Sequence, residues 1–128
     1  MLDVPVITQD IPTTLAEAAG VSMHADGTSF MPALTGKSMP ERSLYWHYPH
    51  YHGGGASPYS AIRDDHWKLV HFYETDRDEL YDLAKDPEEK NDIAVGHEQT
   101  KKLRQKLDAW LKVTGAQIPQ INPSYQKK

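Results

Sequence analysis

The spacing of hydrophobic positions changes near Ser43. Upstream, Leu15-Ala16-Glu17-Ala18-Ala19 favours a helix, with Asp10 as its N-cap, Pro12 in its first turn and Gly20 closing it. Val4 to Ile7, broken by Pro5, reads as an edge strand or entry segment. Residues 21–41 carry Gly and Pro with little periodicity, which predicts a loop with one turn at Pro32-Ala33-Leu34. Downstream the period falls to two. Leu44–Tyr48, Tyr59–Arg63, Trp67–Tyr73 and Glu79–Leu83 read as strands separated by polar turns. Such spacing predicts an antiparallel meander. Within the third run, Trp67, Leu69, His71 and Tyr73 share one face and Lys68, Val70 and Phe72 the other. Both faces carry apolar groups, so neither is expected to be wholly solvated.

Two helices are predicted after the strands. Asp86-Pro87-Glu88-Glu89 has the form of a helix start, ending before Gly96. His97–Val113 is the longer one, with Leu103, Leu107, Trp110 and Leu111 on a single stripe. The predicted fold class is α+β: a small four-stranded antiparallel sheet packed by the long C-terminal helix. Residues 118–128 are expected to be extended or disordered.

Composition narrows the possibilities. The 128 residues make one modest domain or a piece of a larger one, and 38% hydrophobic content is low for a self-sufficient core. Three Trp, seven Tyr and two Phe compensate in part. The net charge of -4 is spread along the chain, with no basic stripe for nucleic acid and no apolar run of the ~20 residues a membrane helix needs. The absence of cysteine excludes disulfides, thiol catalysis and thiolate metal sites. Met1–Ile7 lacks a charged n-region and an apolar h-region, so a signal peptide is expected only upstream of this segment.

Candidate chemistry concentrates in Leu44–His52. Three of the seven histidines, His47, His50 and His52, lie there with four aromatic residues, next to Gly53-Gly54-Gly55. A strand ending in imidazoles and a glycine loop suits the wall of a polar-ligand pocket. Amphipathic covers of a strand edge are the other reading of the same residues. His47-x-x-His50-x-His52 has metal-like spacing, but Pro49 disturbs the register and no acidic residue follows in the loop.

Five phrases in order resemble the arylsulfatase-type family of the alkaline-phosphatase-like superfamily, in a bacterial form. Asp3–Leu15 is similar to the segment that precedes the last helix of its catalytic domain, and Asp26-Gly27-Thr28-Ser29-Phe30-Met31-Pro32-Ala33-Leu34-Thr35-Gly36 to a family loop. Arg42–His52 resembles a family strand, and Ser60-Ala61-Ile62-Arg63 with Trp67-Lys68-Leu69-Val70 a family hairpin. Glu79-Leu80-Tyr81-Asp82-Leu83 followed by Asp86-Pro87-Glu88-Glu89-Lys90-Asn91 completes the series.

The resemblance implies the C-terminal part of a calcium-dependent sulfatase acting on sulfated carbohydrates or aryl sulfates. Residues 1–40 would be the end of the catalytic α/β domain, 41–117 the C-terminal subdomain and 118–128 a tail. It also implies an exported parent and a separate N-terminal catalytic domain as this segment's partner. The family's formylglycine nucleophile arises from a C/S-x-P-x-R motif, and its calcium is held by paired aspartates and an Asp-Asn pair. Neither pattern is present: Ser57-Pro58 and Ser38-Met39-Pro40 lack the Arg, and Asn91-Asp92 has the reverse order. The segment alone is therefore expected to be inactive, with no catalytic or metal-ligating residue of its own. His47, His50 and His52 are its candidate substrate-binding residues. A non-catalytic binding or interaction module is the alternative from another class.

Overall fold

The computed structural model describes residues 4–120 and 122–124. The chain divides into two compact units, residues 1–41 and 42–128.

The first unit contains α1 (Asp10–Ala18) and the single turn α2 (Met31–Leu34). Residues 4–7 form no strand. Asp10 is the first helical residue rather than the N-cap, which is Gln9. Its side chain turns back and is fully buried. The carboxylate accepts from the backbone N–H of Ile7 and of Thr28, each at 2.9 Å. Thr14 extends this knot, donating to the Asp10 carbonyl at 2.7 Å and accepting from Phe30 N–H at 3.0 Å. Gly20, at φ +70°, ends the helix as the sequence predicts. The outward positions of α1 are apolar: Ile11 and Leu15 are both exposed.

The second unit is a meander of β1 (Ser43–Tyr48), β2 (Tyr59–Asp64), β3 (Trp67–Phe72) and β4 (Arg77–Asp82), followed by α3 (Glu98–Val113). Strand order is β1-β2-β3-β4, every pair antiparallel. Asp65, at φ +55°, makes the two-residue β2–β3 turn, a conformation Asp tolerates through its short polar side chain. The expected period-two division follows. Ile62, Leu69 and Leu80 face α3 and form the core with Leu103, Leu107 and Leu111. Tyr45 and Trp110 close one margin of that core, their rings stacked at 4.8 Å and 5°. Lys106 fastens the helix to the sheet through Asp64 at 2.9 Å.

The helix expected from Asp86 does not form. Glu89 adopts a left-handed backbone, φ +56°, and the Asp86 carboxylate accepts from Asn91 N–H at 2.8 Å instead of capping a turn. The following residues are sewn to β4. Ile93 N–H donates to the Leu80 carbonyl at 3.0 Å, and the Asp92 carboxylate accepts from Leu80 N–H and Ala94 N–H. A strand edge needs its backbone groups satisfied, and that demand outweighs the local helix signal. Asn91-Asp92 accordingly lies in an extended edge segment.

The hydrogen bonds of this loop predict a pH dependence of stability. Hydrogen bonds from the backbone N–H groups of Asn91 and Lys90 hold the Asp86 carboxyl below its ordinary range. A depressed folded pKa stabilises the fold above the unfolded pKa, and the contribution is lost as pH falls through the folded pKa. Asp86→Asn is therefore expected to narrow the difference in urea midpoint between about pH 6 and about pH 3. An unchanged difference would mean that Asp86 carries none of it.

Candidate functional site at the end of the first strand

Alternation along β1 sends Tyr45 and His47 toward the α3 side and Trp46 to the opposite face. His47 is half-buried, and both ring nitrogens are engaged. Nε2 lies 3.0 Å from the Gln117 carbonyl and Nδ1 lies 2.7 Å from Ser60 Oγ. A carbonyl only accepts, so Nε2 carries the proton and Nδ1 accepts from Ser60. Ser60 Oγ in turn is 2.7 Å from Tyr73 Oη. Burial pushes the Tyr73 phenol pKa up, with the Ser60 hydrogen bond opposing in part. Ser60 has one proton and gives it to His47, so Tyr73 donates to Ser60 in turn, giving an ordered relay Tyr73 → Ser60 → His47 → Gln117.

The relay adjoins a second cluster. Tyr73 meets His47 edge-on at 5.9 Å and His71 edge-on at 4.9 Å. His71 is only 3% exposed. Arg104 Nη1 approaches His71 Nδ1 at 2.5 Å and Asp78 Oδ1 at 2.9 Å, while its Nε donates to Asp108 at 2.9 Å. Burial works against the guanidinium charge, but Asp108 and Asp78 outweigh it and raise the Arg104 pKa. The cluster therefore holds a fixed cation between two carboxylates, beneath the sheet end that carries His47.

His50 and His52 behave differently. Pro49 ends the ladder, and His50 stands exposed with its ring edge-on to Tyr48 at 5.8 Å. His52 is exposed within a tight loop: its Nδ1 accepts from Gly54 N–H at 3.0 Å, and its backbone N–H donates to Ala56 at 3.0 Å. Gly55, at φ +94°, takes a conformation that L side chains rarely adopt. The three candidate histidines thus occupy two settings. His47 is locked into the sheet, and His50 and His52 are presented on the loop beside the exposed Tyr51.

Among the described residues no group of three or more His, Asp or Glu side chains is placed to hold a metal ion. The described residues therefore offer no donor set that fits the calcium implied by the resemblance. Sequence reasoning missed Ser60, Tyr73, Arg104 and Gln117 as partners of this site. The only signal was the strand alternation that places His71 and Tyr73 on one face.

Known proteins share the sequence and fold of this chain. The family described as N-sulphoglucosamine sulphohydrolase, C-terminal, matches residues 3–117. A Δ4,5-hexuronate-2-O-sulfatase of Bacteroides thetaiotaomicron is 31% identical over 68% of the chain and 19% of its own length. An N-acetylglucosamine-6-O-sulfatase of the same organism is 34% identical over 75% of the chain and 19% of its own length. Among solved structures, a protein in complex with its substrate D-glucosamine-2-N,6-O-disulfate superposes with a TM-score of 0.71 and 30% identity, over 86% of this chain and 24% of that one. A 2-O glycosaminoglycan sulfatase superposes with a TM-score of 0.64 and 29% identity, over 84% and 25%. The chain spans about a fifth to a quarter of the length of these relatives. A family model that matches residues 3–117 leaves no doubt: the chain belongs to the family of N-sulphoglucosamine sulphohydrolase C-terminal segments.

Proposed function

We propose that the chain is the C-terminal portion of a sulfatase that hydrolyses sulfate esters of carbohydrates. The family match over residues 3–117 carries this reading, since sulfated sugars are what the matched relatives' names describe. In this reading residues 1–40 end the catalytic α/β domain. The exposed apolar face of α1 supports that assignment, because such a stripe ordinarily packs on something. The nucleophile and its calcium belong to the preceding part of the parent. This chain alone does not turn over sulfate esters.

The segment's contribution to the pocket is the end of β1 and the loop that follows. His50, Tyr51 and His52 offer imidazole and phenol donors beside three glycines, chemistry suited to the hydroxyl and sulfate oxygens of a sugar. His47 sits at the root of the loop. Its fixed tautomer and its tie to Gln117 hold the strand end in place, so it acts on the pocket's edge from a rigid position.

The test is kinetic, in the full-length parent, with a glucosamine sulfate as substrate. His50→Ala and His52→Ala are expected to lower kcat/KM by about 10- to 100-fold with melting temperature unchanged. His47→Ala is expected to lower both, because Ser60 and Gln117 lose a partner. Unaltered kcat/KM in all three variants would remove the loop from the pocket. Sulfate release by the isolated chain above a heat-killed control would overturn the assignment of the catalytic groups elsewhere.

A further inference from the structure

One row of the sheet is polar across its whole width. His47 pairs with Ser60, Ser60 with His71 and His71 with Asp78, one residue from each strand. Alternation puts all four on the α3 side, beside the row Tyr45, Ile62, Leu69 and Leu80 that belongs to the core. Ser60 has no exposed surface. Burying such groups is costly unless each finds a partner, and among the described residues no buried side-chain polar atom lacks one. A fully satisfied polar network of this kind gives up apolar burial and gains a fixed geometry.

What it fixes is His47. The nitrogen that carries the ring proton is set by the hydrogen bond made at the other. Ser60 gives its proton to Nδ1, which leaves Nε2 to donate to the Gln117 carbonyl. With the proton on Nδ1 instead, the lone pairs of Nε2 and of that carbonyl would face each other across 3.0 Å and repel. Tyr73 enters twice. Its hydroxyl donates to Ser60 at 2.7 Å and also stands 3.3 Å from Nδ1 itself. It is a second donor within reach if the Ser60 hydroxyl is lost, at a longer and weaker distance.

Gln117 belongs to the segment that leaves α3. Gly115, at φ +64°, turns the chain off the helix, and Ala116 N–H closes the turn on the Leu111 carbonyl at 3.0 Å. His47 thus ties together two stretches 70 positions apart: the end of β1, from which the His50–His52 loop departs, and the exit of α3. We infer that Ser60 and Tyr73 are positioning residues of the proposed substrate site, holding His47 in the one tautomer that fastens the root of the loop to the segment after α3. Both act through His47 rather than on substrate. The role of the loop rests on the proposed function above, whereas the tautomer does not depend on it.

Nitrogen-15 NMR of the histidine rings tests the tautomer, at about pH 8, where an ordinary imidazole is neutral. In the unsubstituted chain His47 should show a protonated Nε2 and a bare Nδ1, their resonances far apart. A protonated Nδ1 overturns the inference without any variant. Ser60→Ala and Tyr73→Phe should each keep the separation, because one donor to Nδ1 remains. In the double variant the two resonances should draw together as both tautomers populate, and amide exchange at Ala116 should rise about tenfold. Separation kept in the double variant, or lost already in Ser60→Ala, overturns the shared role.

The positioning is read in the full-length parent, with a glucosamine sulfate as substrate. The double variant should lower kcat/KM about tenfold through KM, with kcat within about twofold and each single variant within about threefold of the parent. Early melting with an unchanged KM in the surviving enzyme would mark a merely structural pair and overturn the inference. Absence of sulfate release from the unsubstituted parent sinks the proposed function, while the NMR result still decides the tautomer.

Discussion

Replacing Leu107 by Ala is expected to cost the second unit about 2–5 kcal/mol. Leu107 has no exposed surface and belongs to the same core as Ile62, Leu69 and Leu80. Those residues lie in three different strands, so a void at Leu107 has no single neighbour able to relax into it. A unit of roughly ninety residues has only about 5–13 kcal/mol of stability to lose. At about 4–8 °C per kcal/mol for a domain of this size, the melting temperature should fall by at least about 8 °C. Leu107→Met, which nearly conserves volume, should cost less than about 1.5 kcal/mol. Lys101→Ala, on the solvent side of α3, should stay within about 0.5 kcal/mol. Circular dichroism on heating, with the three variants side by side, checks the set. If Leu107→Ala melts within a few degrees of the parent sequence, the helix is not what covers this face of the sheet.

The second large effect is expected in the other unit. A Cβ at Gly27 would lie 1.8 Å from the Gln9 carbonyl oxygen, 2.3 Å from its carbon and 2.8 Å from Asp10 N. All three are backbone atoms, so no rotamer change relieves the overlap and the loop must move. Movement there also pulls Thr28 N–H from the buried Asp10 carboxylate. Leaving that charged acceptor short of a donor adds its own penalty to the steric one. Gly27→Ala should therefore destabilise this unit by about 3 kcal/mol or more. Hydrogen exchange localises the effect. Amides around α1 should lose protection by about two orders of magnitude, while Ile62 and Leu69 in the sheet keep theirs. Unchanged exchange at Ala16–Ala18 would show that the close approach of Gly27 to Gln9 is not a fixed feature in solution.

What was readable in the sequence, and what was not, divides by the range of the forces involved. The four strands and α3 were legible because their periods are local. Trp67, Leu69 and His71 alternate with Lys68, Val70 and Phe72, and Leu103, Leu107 and Leu111 recur on one stripe. Strand ends moved by a residue or two: β4 starts at Arg77, not Glu79, because Phe72 and Arg77 pair across the turn. Asp86-Pro87 misled, since its helix-start chemistry is real but the Asp92 and Ile93 bonds to Leu80 compete for the same backbone. Asp10 misled in the same way, its carboxylate drawn across the unit to Thr28. At the candidate site, the richness of residues 44–52 was evident, but the partners of His47 were not. Ser60, Tyr73 and Gln117 lie 13, 26 and 70 positions away, and no local pattern announces a hydrogen bond of that span.

The β1–β2 connection separates what varies from what must not. Register is complete from Ser43↔Asp64 to Tyr48↔Tyr59, and on the other side of β2 the β2–β3 ladder continues past Tyr59↔Phe72 through Tyr73 N–H to the Pro58 carbonyl at 3.1 Å. Between these anchors, a Cβ added at Gly53 or Gly55 would meet nothing within 4 Å. Inserting residues at Gly53 disturbs no core contact, Gly55 keeping the left-handed backbone that only glycine takes easily, and lengthening a flexible loop twofold costs only about 0.6 kcal/mol. A scaffold with this arrangement can change the chemistry of one exposed stretch without rebuilding the sheet. It also gives the experimenter a splice point, where a loop from a 2-O- or 6-O-specific relative can be transplanted over residues 50–56 with Pro58 and the sheet left in place.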